Sequence, residues 1–128
     1  MTAYILDTFA WIEHINGSTA GKNVGKYISS GSVSVPTVVI SELVSKLRRE
    51  NSQSEVDIIN FIINRCGILE LSIDIALDAG KIHAKLKKEV PRLSLPDAII
   101  IATAKKLDAK IVTGDEHFRN FENIIMIK

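Results

Sequence analysis

Cysteine is nearly missing from this chain. Its 128 residues hold one, Cys66, which excludes an intramolecular disulfide and a cysteine-rich zinc site. Cys66 falls in the apolar spacing Ile62, Ile63, Cys66 of a predicted helix and is expected to be a buried structural thiol. Aromatic residues make up only 5%, too few for a base-stacking platform. Phe9, Trp11, Tyr27 and Phe61 sit at helical spacings that suit a core or an interface. No apolar run approaches the roughly 20 residues of a membrane-spanning helix. The start Met1-Thr2-Ala3-Tyr4 also lacks the charged segment of a secretory leader, so a cytoplasmic location is expected. Neither sign of charge is in excess: sixteen Lys and Arg against fifteen Asp and Glu leave a formal +1. A polyanionic partner would therefore need a local basic patch. No repeat, linker or low-complexity stretch breaks the sequence. One domain over residues 1–128 is expected, long enough to bury roughly two thirds of its unfolded surface.

What is present is an alternation of short apolar segments with longer amphipathic ones. Residues 3–6 predict a strand, and Asp7-Thr8 then opens a helix carrying Phe9, Trp11, Ile12 and Ile15 that stops at Asn16-Gly17. Ser18 predicts the cap of a second helix, through Val24, Tyr27 and Ile28 to Gly31. A strand over 33–35 ends at Pro36, and a helix over 38–49 has the stripe Val39, Ile40, Leu43, Val44 and Leu47. Ser52 or Ser54 caps the next helix, with Val56, Ile59, Ile62 and Ile63 expected inward and Gly67 closing it. A strand over 68–71, a helix over 73–89 and a helix opening at Ser94-Leu95-Pro96-Asp97 follow. The last of these is apolar on nearly every side through Ala104, and so is expected to be buried. Strands over 111–113 and 124–127 flank the loop Gly114-Asp115-Glu116-His117-Phe118. The alternation predicts an α/β fold, a parallel sheet covered by helices on both faces in three α/β/α layers. Right-handed crossovers place every strand's C-terminal end on one edge, where ligands of open α/β sheets bind.

Four acids fall where apolar segments end or helices begin: Asp7, Glu42, Asp97 and Asp115. Each has an ordinary explanation. Asp7 and Asp115 suit helix caps, Asp97 lies three residues after Ser94 as in a capping box, and Glu42 precedes Lys46 by four as in an exposed helical ion pair. Their joint placement is harder to dismiss. Asp7 and Asp115 both follow strands onto the same sheet edge, and the apolar helix after Pro96 must lie against the sheet and carry Asp97 inward. Carboxylates gathered in that way repel one another and call for protons or a hard divalent cation on oxygen ligands, the setting of phosphoryl chemistry.

Taken together, Ile5-Leu6-Asp7-Thr8, Ile40-Ser41-Glu42-Leu43, Leu95-Pro96-Asp97 with the apolar run to Ala104, and Thr113-Gly114-Asp115-Glu116-His117-Phe118 resemble PIN-domain nucleases, most closely the VapC type of toxin. The resemblance runs the length of the chain in the family's order and spacing. It implies a five-stranded parallel sheet in the order 3-2-1-4-5 and a Mg²⁺- or Mn²⁺-dependent endoribonuclease that leaves 5′-phosphate and 3′-hydroxyl ends. It also implies a homodimer and a cognate antitoxin protein. By position, Asp7 and Asp97 would be the principal metal ligands, with Glu42 and Asp115 completing the pocket directly or through water. Thr113 matches the family's hydroxyl beside the last acid, although an ordinary β-branched strand residue fits as well. Thr8 stands where the family often has serine or threonine, although a helix start alone would explain it.

His117 lies beside the acidic loop, but Mg²⁺ prefers oxygen ligands. Basic residues cluster at Lys46, Arg48 and Arg49, at Lys85, Lys87, Lys88 and Arg92, and at Lys105, Lys106 and Lys110. Solvated helix faces are their default reading. If RNA is the substrate, some basic residues must border the acids, with Arg49 and Arg92 the candidates. Val24, Tyr27, Ile28, Ile58, Ile59 and Ile62 offer an apolar face for an oligomer or an antitoxin. A phospho-accepting receiver domain has a similar layout, but the context fails: Asp57 lies in the helical pattern Val56-Asp57-Ile58-Ile59-Asn60 and Lys110 precedes its strand, and lack of labelling by acetyl phosphate would close that option. An aspartyl phosphatase needs a second acid two residues after Asp7, where Phe9 stands. The remaining alternative is a PIN fold that binds RNA or a protein without cutting; loss of one of the four acids would mark it, and all four are present.

Overall fold

A computed structural model describes residues 2–128. In chain order these form β1 (Tyr4–Leu6), α1 (Thr8–Asn16), α2 (Thr19–Ser29), β2 (Val33–Pro36), α3 (Thr37–Arg49), α4 (Glu55–Arg65), β3 (Gly67–Leu69), α5 (Ile73–Leu86), α6 (Leu95–Leu107), β4 (Lys110–Thr113), a 3-10 turn at Glu116–Phe118, and β5 (Ile124–Met126). All strand pairs are parallel, in the order β3-β2-β1-β4-β5, the order the resemblance implies. The chain leaves β1 toward β2 and β3, then crosses back through α5 and α6 to β4. Right-handed crossovers in the two directions put their helices on opposite faces of the sheet, and the direction reverses between β1 and β4. This switch point opens a crevice at the C-terminal ends of the two central strands.

Local chemistry fixes the ends of the elements that reach the crevice. The Asp7 side chain caps α1 by accepting the Ala10 N–H at 2.8 Å, and Gly17 ends it with φ +67°, a left-handed conformation that costs glycine least. Ser18 caps α2 and Ser94 caps α6, the latter in a full capping box with Asp97. Gly114, just past β4, is buried against Phe9 of α1, and a Cβ there would strike the Phe9 ring. Its lack of a side chain lets the turn after β4 close onto the start of α1.

The core is the sheet interior, Ile5, Leu6, Val33, Val35, Ile111 and Val112, packed under Trp11, Val39, Leu43, Ile100 and Phe118. As its sequence requires, α6 is buried, and Ala98 and Ala102 let α5 approach closely through Ile75 and Ala79. Thr103, buried in the same helix, satisfies its hydroxyl by donating to the Ile99 carbonyl at 2.7 Å.

The differences from the expected pattern lie on α4 and beside it. Ile62 is fully buried, but Val56 and Ile63 are 67% and 58% exposed. Val24 and Ile62 belong to the core, while Tyr27, Ile28, Ile58 and Ile59 are only partly buried against it. Cys66 is half-buried at the end of α4, where burial pushes its thiol up. No helix among the described residues is long and apolar enough to cross a membrane.

Candidate active site

Asp7 sits at the bottom of the crevice, only 4% exposed. Beside the Ala10 amide on Oδ1, its Oδ2 accepts the hydroxyl of Thr113, the last residue of β4, at 2.5 Å. Burial raises its pKa from 3.8 to about 7. The hydrogen bonds from Thr113 and Ala10 oppose that rise, and the charges of Asp115 and Asp97 add to it. A buried carboxyl with two acidic neighbours and no basic partner is costly to ionise, and a cation relieves that cost.

Thr113 has a second contact: its Oγ1 accepts the Asp115 backbone N–H at 2.9 Å. One fully buried hydroxyl thus joins the end of β1 to the turn that bears Asp115. Replacing Thr113 by valine should raise the Asp7 pKa above about 7, because a bond that favours the carboxylate is lost; a carboxyl ¹³C titration by NMR reads this directly. An unchanged Asp7 midpoint would show that the hydroxyl does not bear on the charge.

Glu42, one turn into α3, accepts the Thr8 hydroxyl at 2.7 Å. Its pKa is pushed up by burial first and by the Asp97 charge, against the Thr8 hydrogen bond. The helical pair with Lys46 does not form; Lys46 pairs instead with Glu50 at 3.6 Å. Asp97 is held at the start of α6, where its Oδ2 accepts the Ser94 N–H at 3.0 Å. The same oxygen lies 2.9 Å from His117 Nε2, while His117 Nδ1 lies 2.6 Å from Asp115 Oδ1. The acids lie close enough for their charges to act on one another: Asp115 and Asp97 push the Asp7 pKa up, and Asp97 pushes up that of Glu42.

The four acids therefore share one crevice without yet closing on a point. Among the described residues no three His, Cys, Asp or Glu side chains converge as a ready ligand set. Oxygen donors at the rim of an open pocket suit Mg²⁺, which dehydrates reluctantly and keeps several waters. Arg49 lies in a groove of about 540 Å³ that runs from Thr8 and Glu42 along α3 past Ser45 and Lys46. Arg92 is exposed in the α5–α6 connection, two residues before the Ser94 cap. A larger groove, about 690 Å³ between α5 and α6, contains Asp74, Asp78, Lys81, Lys105 and Lys106 but none of the four acids. The contact of His117 with Asp97 joins residues twenty apart on separate elements and left no local signal in the sequence.

Fold and site together define a doubly wound α/β protein with an acidic pocket at its switch point. The pattern of the PIN domain family matches residues 4–124, and the chain belongs to that family. Among solved structures it is similar to a chain of a toxin–antitoxin complex from Klebsiella pneumoniae, with a TM-score of 0.79 and 19% identity over 98% of each chain. A chain of the DNA-bound VapBC of Salmonella typhimurium gives 0.76 and 19% over 100% of each. The sarcin-ricin-loop-cleaving toxin VapC20 of Mycobacterium tuberculosis gives 0.73 and 16% over 94% of this chain and 98% of its own. At these identities the likeness is one of fold. No curated protein sequence matches significantly.

Proposed function

We propose that this protein is a Mg²⁺- or Mn²⁺-dependent endoribonuclease, the toxin of a VapBC-type pair, and that residues 1–128 form its single PIN domain. The observation that carries this reading is the gathering of Asp7, Glu42, Asp97 and Asp115 at the switch point of a PIN fold, with hydroxyls of Thr8 and Thr113 orienting two of them. The donor set fits a hard cation. It is all oxygen, it is short of positive charge, and it contains one carboxyl whose pKa is pushed up to about 7, mainly by burial.

In this reading Asp7 and Asp97 are the principal ligands, with Glu42 and Asp115 directly or through water. A bound ion supplies an activated water and stabilises charge developing on the phosphoryl group under attack. The chain's own part is positional. Thr113 and the Ala10 amide fix both oxygens of Asp7, Thr8 turns Glu42, and Ser94 locks Asp97 at the start of a buried helix. RNA is the proposed substrate, with the groove past Ser45 and Arg49 as its path. Removal of a phosphate contact by Arg49→Ala or Arg92→Ala should weaken RNA binding and reduce the salt slope by about 0.7 for a single strand. Affinity and slope unchanged in a cleavage-dead background would dismiss the residue.

An antitoxin and a second copy of the chain are the proposed partners in the cytoplasm. The similar VapBC structures support the antitoxin, and exposed Val56, Phe61 and Ile63 on α4 and Ile73 and Leu77 on α5 provide apolar surface for protein contacts. Total bacterial RNA incubated with the purified protein and Mg²⁺ or Mn²⁺ should yield discrete fragments bearing 5′-phosphates, detected by direct ligation of an adapter to the new ends. Retention of RNA with no new ends would instead mark a binding module that does not cut.

A further inference from the structure

We infer that His117 is a positioning residue for the metal pocket, a clasp that holds Asp97 and Asp115 so that one oxygen of each is committed to the protein and the other is left to the ligand. This deepens the nuclease reading and rests on it. The imidazole ring lies between the two carboxylates with Nε2 2.9 Å from Asp97 Oδ2 and Nδ1 2.6 Å from Asp115 Oδ1. Each ring nitrogen faces a carboxylate oxygen, so neither is left open to a cation. The ring itself is fixed. It stacks on Phe118, with centroids 5.1 Å apart and planes 28° apart, and Phe118 is fully buried in the core.

Three of the four acids divide their oxygens in this way, whereas Asp7 has both oxygens taken by protein donors. Asp97 Oδ2 takes Ser94 N–H and His117, Asp115 Oδ1 takes His117, and Glu42 Oε1 takes Thr8. Among the described residues, Asp97 Oδ1, Asp115 Oδ2 and Glu42 Oε2 have no protein donor. Asp97 is already braced by its capping box. Asp115 has a weaker brace: its Oδ1 caps the 3-10 turn by accepting the His117 backbone N–H at 3.4 Å, and its carboxylate has no protein partner outside that turn. His117 is what ties that turn to the start of α6. Without the ring, only that long backbone contact holds the Asp115 carboxylate, and its greater freedom weakens ion binding. Partners that orient metal ligands in this way usually contribute about 10- to 100-fold in affinity.

The test is Mn²⁺ binding to the purified protein, followed by loss of the free-ion EPR signal, in wild type, His117→Ala, His117→Asn and His117→Gln. The alanine variant should bind Mn²⁺ about 10- to 100-fold more weakly. Asparagine can keep the contact to Asp115 and glutamine the contact to Asp97, so both should fall between alanine and wild type, and these two serve if the alanine variant does not fold. With ¹⁵N-labelled histidine, no nitrogen coupling to Mn²⁺ should come from His117. Alanine binding as tightly as wild type or more tightly would overturn the clasp, as would a histidine coupling lost in that variant. Wild-type protein that binds no Mn²⁺ would instead sink the metal reading itself and the clasp with it.

Discussion

Asp7→Asn should make the metal-free protein more stable at pH 8 while abolishing RNA cleavage. The carboxyl is buried with two acidic neighbours, and its pKa lies at about 7 instead of 3.8. Between those values the folded state holds a proton that the unfolded chain has released. Stability therefore declines as pH rises through that window and stays at the lower level above it. The full shift corresponds to at most about 4 kcal/mol. Asparagine removes the charge but cannot accept the Thr113 hydroxyl through its amide nitrogen, so about 2 kcal/mol should be recovered. Urea denaturation in chelator at pH 5 and pH 8 measures it. Wild type should lose stability between the two and the variant much less, because Glu42, whose pKa is also raised, remains in both. Added Mg²⁺ should restore the wild type at pH 8, because an ion that binds only the folded state stabilises it by mass action. A variant that tracks the wild type across that pH range would place the charge elsewhere.

Asp97→Asn separates the two jobs of Asp97. In the capping box the side chain accepts the Ser94 N–H, and an asparagine oxygen can do the same, so the melting temperature should barely move. The negative charge offered to the pocket is lost. Removal of a residue that merely orients a ligand costs about 10- to 100-fold, so loss of a principal ligand should lower kcat/KM by at least about 100-fold. Asp97→Ala should show the same catalytic loss together with a lower stability of about 1 kcal/mol from the missing cap contact. Full activity in Asp97→Asn would leave Asp97 a cap and nothing more.

These outcomes follow from features of unequal visibility in the sequence. Helix starts were legible because capping is local: Asp7 before Thr8, Ser18 before Thr19, and Ser94 with Asp97 lie within a few residues of the amides they bind. Strand order followed from the family resemblance, and the placement of Asp7 and Asp115 at one edge followed from the separation of short strands by helical crossovers. The inward face of α4 was not legible. Its Val56, Ile58, Ile59, Ile62 and Ile63 surround the helix, and periodicity chooses no side when apolar residues occupy most of it. Glu42 was misleading for a similar reason. The rule for residues four apart pointed to Lys46, whereas a partner thirty-four residues away, Thr8, takes the carboxylate once α1 and α3 pack together. His117 required tertiary structure outright, since only the docking of the β4 turn against α6 brings its ring between two acids.

The most direct measurement is RNA cleavage by the purified protein in excess chelator, in excess Mg²⁺ or Mn²⁺, and after restoring the ion to the chelated sample, with Asp7→Asn alongside. The four-acid pocket predicts no cleavage in chelator, full recovery when the ion returns, and no cleavage by the variant under any condition. Equal cleavage with and without chelator, retained by Asp7→Asn, would contradict a metal-dependent site built on these carboxylates.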